Sequence, residues 1–311
     1  MATNVFNSRR QRIIETALPS YSAECSWDDS GQRRGIALSI NLKADPILQN
    51  GPQCGLVALS MALTALTDLD SPDSLQSLHS NVPHLLNVAR QNRWTQNGEM
   101  FSAYDLAKLA CCVDNGPSLF NVTVEEDLMA DRVAFLNTLI TGRYILVPYD
   151  TDKNHEPCLK SGHTAHWALI AGALLVDVDC STGDDMISKY LTIPDIREPA
   201  PSIDDIVYPD EDMPCLFHLH GTASSDCRVK EDAVFDANRT KLFLYALHGK
   251  SRHIAIWSYE SLAASNANLT EVGPARQNDP ELNYVIPDCG IATTLCRKAV
   301  VIKKRSSNRM K

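Results

Sequence analysis

Residues 54–69, CGLVALSMALTALTDL, put apolar side chains on every face of a helix: Leu56, Val57, Leu59, Met61, Leu63, Leu66 and Leu69. A helix of this kind must lie inside a domain. Gly51-Pro52 makes the turn before it, so Cys54 falls at its N-terminal end. Helical spacing recurs at 82–93, and at 102–112, where Ser102 and Asp105 form a capping pair. It recurs again at 125–141, with Gly142 as a left-handed cap. The pattern then shortens. Residues 143–149 (RYILVPY) and 166–171 (HWALIA) predict strands, as do 35–40, 284–287 and 299–303. Residues 241–247 and 253–258 predict a hairpin joined at Gly249-Lys250. Helices first and strands afterwards predict an α+β fold, with the Cys54 helix buried at its centre and packed on an antiparallel sheet.

The pattern also divides the chain. Residues 1–46 read as a variable lead-in, 47–303 as one domain, and 304–311 as a basic tail. Residues 177–236 carry 15 acids against four bases, a net −11, which leaves the rest of the chain at +2. With five prolines, this stretch is expected to be a mobile surface insertion. The whole chain of 311 residues has a net charge of −9, which argues against a nucleic-acid partner. No apolar run reaches the ~18 residues of a membrane helix, and MATNVFNSRRQRII at the start has no apolar leader core. Ten cysteines without a Cys-x-x-Cys pair then point to reduced thiols and the cytoplasm rather than a disulfide framework.

Two constellations carry chemistry. In Gln49-Asn50-Gly51-Pro52-Gln53-Cys54-Gly55, a thiol at a helix start feels the positive end of the helix dipole, which favours thiolate. Gly55 removes bulk beside the sulfur, and an upstream glutamine, Gln49 or Gln53, offers a donor to an oxyanion. In Gly162-His163-Thr164-Ala165-His166-Trp167, His166 opens an apolar strand and is the preferred base over His163. The group that orients the imidazole is open. Asp179 falls opposite His166 if the chain turns tightly at Gly172-Ala173, and Ser258 and Asn266 are alternatives. Cys215, His218 and His220 have zinc-like spacing but lack a matching set elsewhere, so no metal is expected. No phosphate-binding glycine loop and no HExxH helix is present, so no cofactor is expected either.

GPQCGLVALSMA, GEMFSAYDLAKLA, VPYDTDKNHEPCLKSGHTAHWALIAG and LHGKSRHIAIWSYESLAASNANL occur in this order and together resemble the actin maturation proteases. The resemblance spans about residues 43–303. It implies a papain-like cysteine peptidase that removes an acetylated N-terminal Met or Cys from immature actin. It implies Cys54 as nucleophile, His166 as base and Gln49 as the oxyanion glutamine. Vertebrate members carry a proline-rich N-terminus suited to profilin, whereas residues 1–46 here hold only Pro19 and Pro46. Another acyl-transfer activity on the same scaffold, amidase or transglutaminase-like, and a catalytically inactive actin-binding adaptor stay open. Lys160, Lys153 and Arg143 flank the strand and loop leading to His166 and are the candidates for a locally basic cleft.

Overall fold

The computed structural model describes residues 35–67, 81–113, 119–192, 207–211, 213, 215–219, 227–277 and 283–305. Most of the expected lead-in, much of the acidic stretch, His220 and most of the basic tail lie outside these residues. The helix read as buried all round is α1, Cys54–Thr67, in which only Cys54 and Thr64 are not fully buried. Helices α2 (Val82–Gln91) and α3 (Ala103–Cys112) follow where the spacing places them. Ser102 caps α3 by accepting the Asp105 N–H at 3.1 Å.

Residues 125–141 are not one helix. Val122 and Val124 alternate toward the core, and strand β2 (Phe120–Glu126) takes the first part. A single 3₁₀ turn, Leu128–Ala130, separates it from α4 (Arg132–Ile140), which Asp131 caps by accepting the Ala134 N–H. Gly142 does take the expected left-handed conformation, with φ +71°. Residues 284–287 form no strand, and the Val285 N–H goes to a Glu99 carboxylate oxygen at 2.9 Å instead of a sheet neighbour.

One strand organises the sheet. β5 runs from Ala165 to Asp177 with all 13 residues buried. Its first half pairs with β3 (Tyr144–Thr151) and its second half with β1 (Ile36–Asn41). Along its other edge runs β10 (Thr240–Leu247), which forms the predicted hairpin with β11 (Ala255–Ser258). Beyond β3 lie β12 (Lys298–Lys304) and then β2, while β4 (Pro157–Cys158) pairs with the end of β3. Beyond β1 lie β8 (Leu216–Leu219) and β7 (Val207–Pro209). The β1–β8 pair is parallel, so the sheet is mixed rather than antiparallel throughout. β1, placed in the lead-in by composition, is therefore an interior strand.

The turn expected at Gly172-Ala173 is instead a β-bulge within β5. Register against β10 shifts between Tyr245 and Ala246, which face Gly172 and Ile170. Leu169 and Ala171 point to one core and Leu174 and Val176 continue it, so the alternation changes parity at the bulge. Gly172 has φ +148°, and a Cβ there would meet the Ile40 carbonyl oxygen at 2.1 Å. Only glycine fits.

Each sheet face carries its own helices. α1, α2 and α3 cover one face. The other is covered by α4, by α5 (Gly183–Tyr190) and by α6 (Tyr259–Ala267). Thus the described part of the acidic stretch is packed, not a mobile surface segment. Met186, Ile187 and Tyr190 of α5 are buried, and β6 (Leu191–Thr192) pairs with β9 (Arg228–Val229). Its acids have structural uses. Asp185 closes a capping box with Thr182, and buried Asp177 accepts from Lys189 and from the Tyr190 hydroxyl. Two short helices, α7 (Pro274–Gln277) and α8 (Ile291–Thr294), complete the described elements. Among the described residues no helix is long and apolar enough to cross a membrane.

Gly172→Ala combines a strained φ with a backbone clash, so it should lower unfolding stability by about 3 kcal/mol. Urea unfolding followed by tryptophan fluorescence measures this, and an unchanged midpoint would mean that the bulge relaxes freely.

Candidate active site

The first turn of α1 and the first residues of β5 meet on one wall of a cavity of about 560 Å³. Cys54, Gln49, His166 and Trp167 all line it. The contact is tight because residue 55 has no side chain. A Cβ on Gly55 would stand 2.9 Å from Met100 Cβ and 3.1 Å from the Trp167 ring. Gly55 thus makes room for Trp167 and Met100. The Trp167 indole N–H donates to the Met100 carbonyl at 2.8 Å, which locks the ring in place. The Trp167 backbone N–H is then directed at the Cys54 sulfur.

Burial works against the expected thiolate. Burial pushes the Cys54 thiol up. The Trp167 and Gly55 N–H groups and the Arg276 and Lys250 charges offset this only in part. His166 is buried too, and desolvation takes its pKa down to about 4. Burial thus works against the charged form of each side chain.

His166 Nε2 lies 2.8 Å from the His248 carbonyl oxygen. A carbonyl only accepts, so Nε2 carries the proton and Nδ1 is the basic nitrogen of the neutral ring. Tyr149 packs edge-on against the imidazole at 5.7 Å between centroids. The orienting group is therefore a backbone carbonyl, and none of the three side chains considered from sequence takes that place. Asp179 lies past the far end of β5, ion-paired with Arg239. Ser258 caps α6 by accepting the Ser261 N–H at 3.0 Å. Asn266 is buried and donates to the Pro148 and Lys298 carbonyls. His163 stands outside the cavity, 2.8 Å from Glu271.

Gln49 lines the cavity and Gln53 does not; Gln53 packs against Gly98. The Gln49 side-chain amide donates to the Gly51 carbonyl at 2.7 Å, and its main-chain N–H donates to Gly249. Lys153 and Lys160 also line the cavity, whereas Arg143 does not. Of the zinc-spaced group, His218 faces Asp210 at 3.0 Å and stacks on Tyr208. Among the described residues no cluster of three or more His, Cys, Asp or Glu is placed to hold a metal.

A family model described as "Actin maturation protease-like, C-terminal domain" matches residues 44–174, which include both Cys54 and His166. The chain is 34% identical to an actin maturation protease of Mus musculus over 268 residues, 84% of this chain and 62% of that protein. Against the Homo sapiens protein it is 34% identical over 279 residues, 88% of this chain and 67% of the relative. Against that of Xenopus tropicalis it is 30% identical over 296 residues, 95% and 80% of the two chains. The chain belongs to the actin maturation protease family. It spans just under two thirds of the mouse relative's length. No solved structure matches it.

Sequence reasoning within this family misses what backbone does at the site. The His248 carbonyl has no side-chain signature. Asp150 is missed too, although it shapes the approach to His166. Its buried carboxylate accepts the N–H groups of Lys160 (2.9 Å), Gly162 (2.7 Å) and Thr164 (2.9 Å), and the Thr164 hydroxyl. It thereby fixes the loop that runs into β5. Arg276 and Lys250 line the cavity and are likewise far away in sequence.

Asp150→Ala strips the acceptor from three backbone donors and should cost about 3 kcal/mol in urea unfolding. A loss below ~1 kcal/mol would mean that the loop holds itself. The buried histidines give a second expectation. His166 and His248 both have pKa values lowered to about 4 by burial, so the unfolded chain takes up protons first as pH falls. Their contribution to stability is whole above pH 6.5 and is lost between 6.5 and 4. Tm should fall across that window, and His248→Gln should flatten the fall.

Proposed function

We propose that this chain is a papain-like cysteine peptidase of the cytoplasm, acting on actin to remove its acetylated N-terminal residue. The observation that carries the reading is the convergence of Cys54, at the start of a buried helix, and His166, at the start of β5, on one cavity. The relatives' shared name, actin maturation protease, supplies the substrate. All nine cysteines among the described residues are free thiols, in keeping with a reducing compartment.

In this reading His166 Nδ1 takes the thiol proton as Cys54 attacks the carbonyl of the first residue. The oxyanion that forms is held by backbone N–H at Cys54 and by the second amide N–H of Gln49, whose first N–H is fixed on Gly51. Collapse expels the amine of the shortened protein, which His166 protonates. Water, deprotonated by the same imidazole, then hydrolyses the thioester. The His248 carbonyl keeps the ring in one tautomer throughout.

The test is the mass of the actin N-terminus before and after incubation with the full chain. Loss of one acetylated residue is expected, and Cys54→Ala or His166→Ala should each reduce the rate at least ~10³-fold. Cys111→Ala, at an exposed position on α3, should change it less than about twofold. Equal loss in all three would sink the assignment. The low-pH limb of kcat/KM should fall near pH 4, where His166 gains its proton, and not near the 6.5 of an exposed histidine.

A further inference from the structure

The chain is acidic overall, yet the cavity is not. Lys153, Lys160, Lys250 and Arg276 line it, against Glu99 and Asp152. Both carboxylates are already engaged by backbone. Glu99, 4% exposed, accepts the N–H groups of Gln96, Asn97 and Val285. Asp152 accepts those of Asn154 and Glu156. Among the described residues no carboxylate lies within ion-pair distance of any of the four cations. Four cations against two carboxylates leave the lining of the cavity with a net positive charge, in a chain of net charge −9, and so form a local field of opposite sign to the rest.

Two of these cations are built onto the histidine side. Arg276 Nη1 donates to the Ala165 carbonyl at 3.1 Å, one residue before His166. Its guanidinium lies over the Phe101 ring at 5.8 Å, and Tyr284 braces that ring edge-on. The fork is thus oriented before any ligand arrives. Lys250 follows the residue whose carbonyl holds His166 by two positions, and its main-chain N–H is 3.3 Å from His248 Nδ1. In peptide cleavage the imidazole hands its proton to the departing amine, so the departing chain lies beside the histidine.

We propose that Arg276 and Lys250 are specificity-determining residues that select an acidic peptide, by pairing with carboxylates in the residues just after the cleaved bond. The proposal rests on the peptidase reading above and adds to it which side of the substrate is read, and by which groups. Lys153 and Lys160, on the β3–β4 turn and the loop that follows, widen the same field toward residues further along the departing chain.

The experiment compares two substrates of the full chain: N-acetylmethionine followed by three aspartates, and the same peptide with three asparagines. The expected preference in kcat/KM is about tenfold for the acidic peptide, the size of a charge-assisted hydrogen bond. Arg276→Gln should bring the ratio close to one, Arg276→Lys should keep most of it, and Arg276→Glu should reverse it. Arg143→Gln, outside the cavity, should leave the ratio as it was. In parallel, fluorescent versions of both peptides are titrated against Cys54→Ala and read by anisotropy. Tighter binding of the acidic peptide, lost on adding Arg276→Glu, supports the proposal even if neither peptide is cut, a result that would overturn only the peptidase reading. Equal cleavage with equal binding of the two peptides, or a ratio that Arg276→Glu does not move, overturns the proposal.

Discussion

Trp167 against Gly55 is the contact on which the site depends. The indole fills the space where a methyl group would sit on α1, and its N–H is tied to Met100. This clamps the start of the buried helix to the start of β5. Because the clamp uses residue 167, the neighbouring main chain is brought to the Cys54 sulfur and His166 is carried into the same cavity. Close packing in a core shifts little, so Cys54 and His166 inherit the precision of the interior.

That burial has an electrostatic cost. The same packing that positions Cys54 and His166 removes water from both and disfavours their charged forms. The helix dipole, Arg276 and Lys250 act in the opposite direction on the thiol, yet both cations also work against a charged imidazole. In the proposed peptidase reaction, charge separates only when a substrate carbonyl is in position to accept the sulfur, and a buried thiol is less exposed to adventitious oxidation in the meantime.

The sequence showed the parts that depend on side-chain type and spacing. The all-apolar run from Leu56 to Leu66 could only be an interior helix, and the hairpin of β10 and β11 followed from its alternation. Cys54, His166 and Gln49 were picked from ten cysteines, nine histidines and several glutamines by the family resemblance, and all three line one cavity. What stayed hidden depends on backbone or on register. The His248 carbonyl is common to every residue type. The bulge at Gly172 looks like a turn because glycine serves both, and the choice is made by the Ile40 carbonyl, 132 positions away in the chain. The acidic residues of 177–236 suggested a mobile insertion, whereas Asp177 is a buried partner of Lys189 and Asp185 a helix cap, roles that composition alone does not distinguish.

The parity change within β5 bears on how the gene can vary. His166 and Trp167 face opposite sides of the sheet, one toward Tyr149 and the other toward α1. Inserting or deleting one codon between Ala165 and Ala171 would exchange those sides, placing the indole where the imidazole belongs. Length changes between β5 and β10 leave this alternation untouched. Single-residue insertions and deletions should therefore be purged between Ala165 and Gly172, even where individual substitutions there are tolerated.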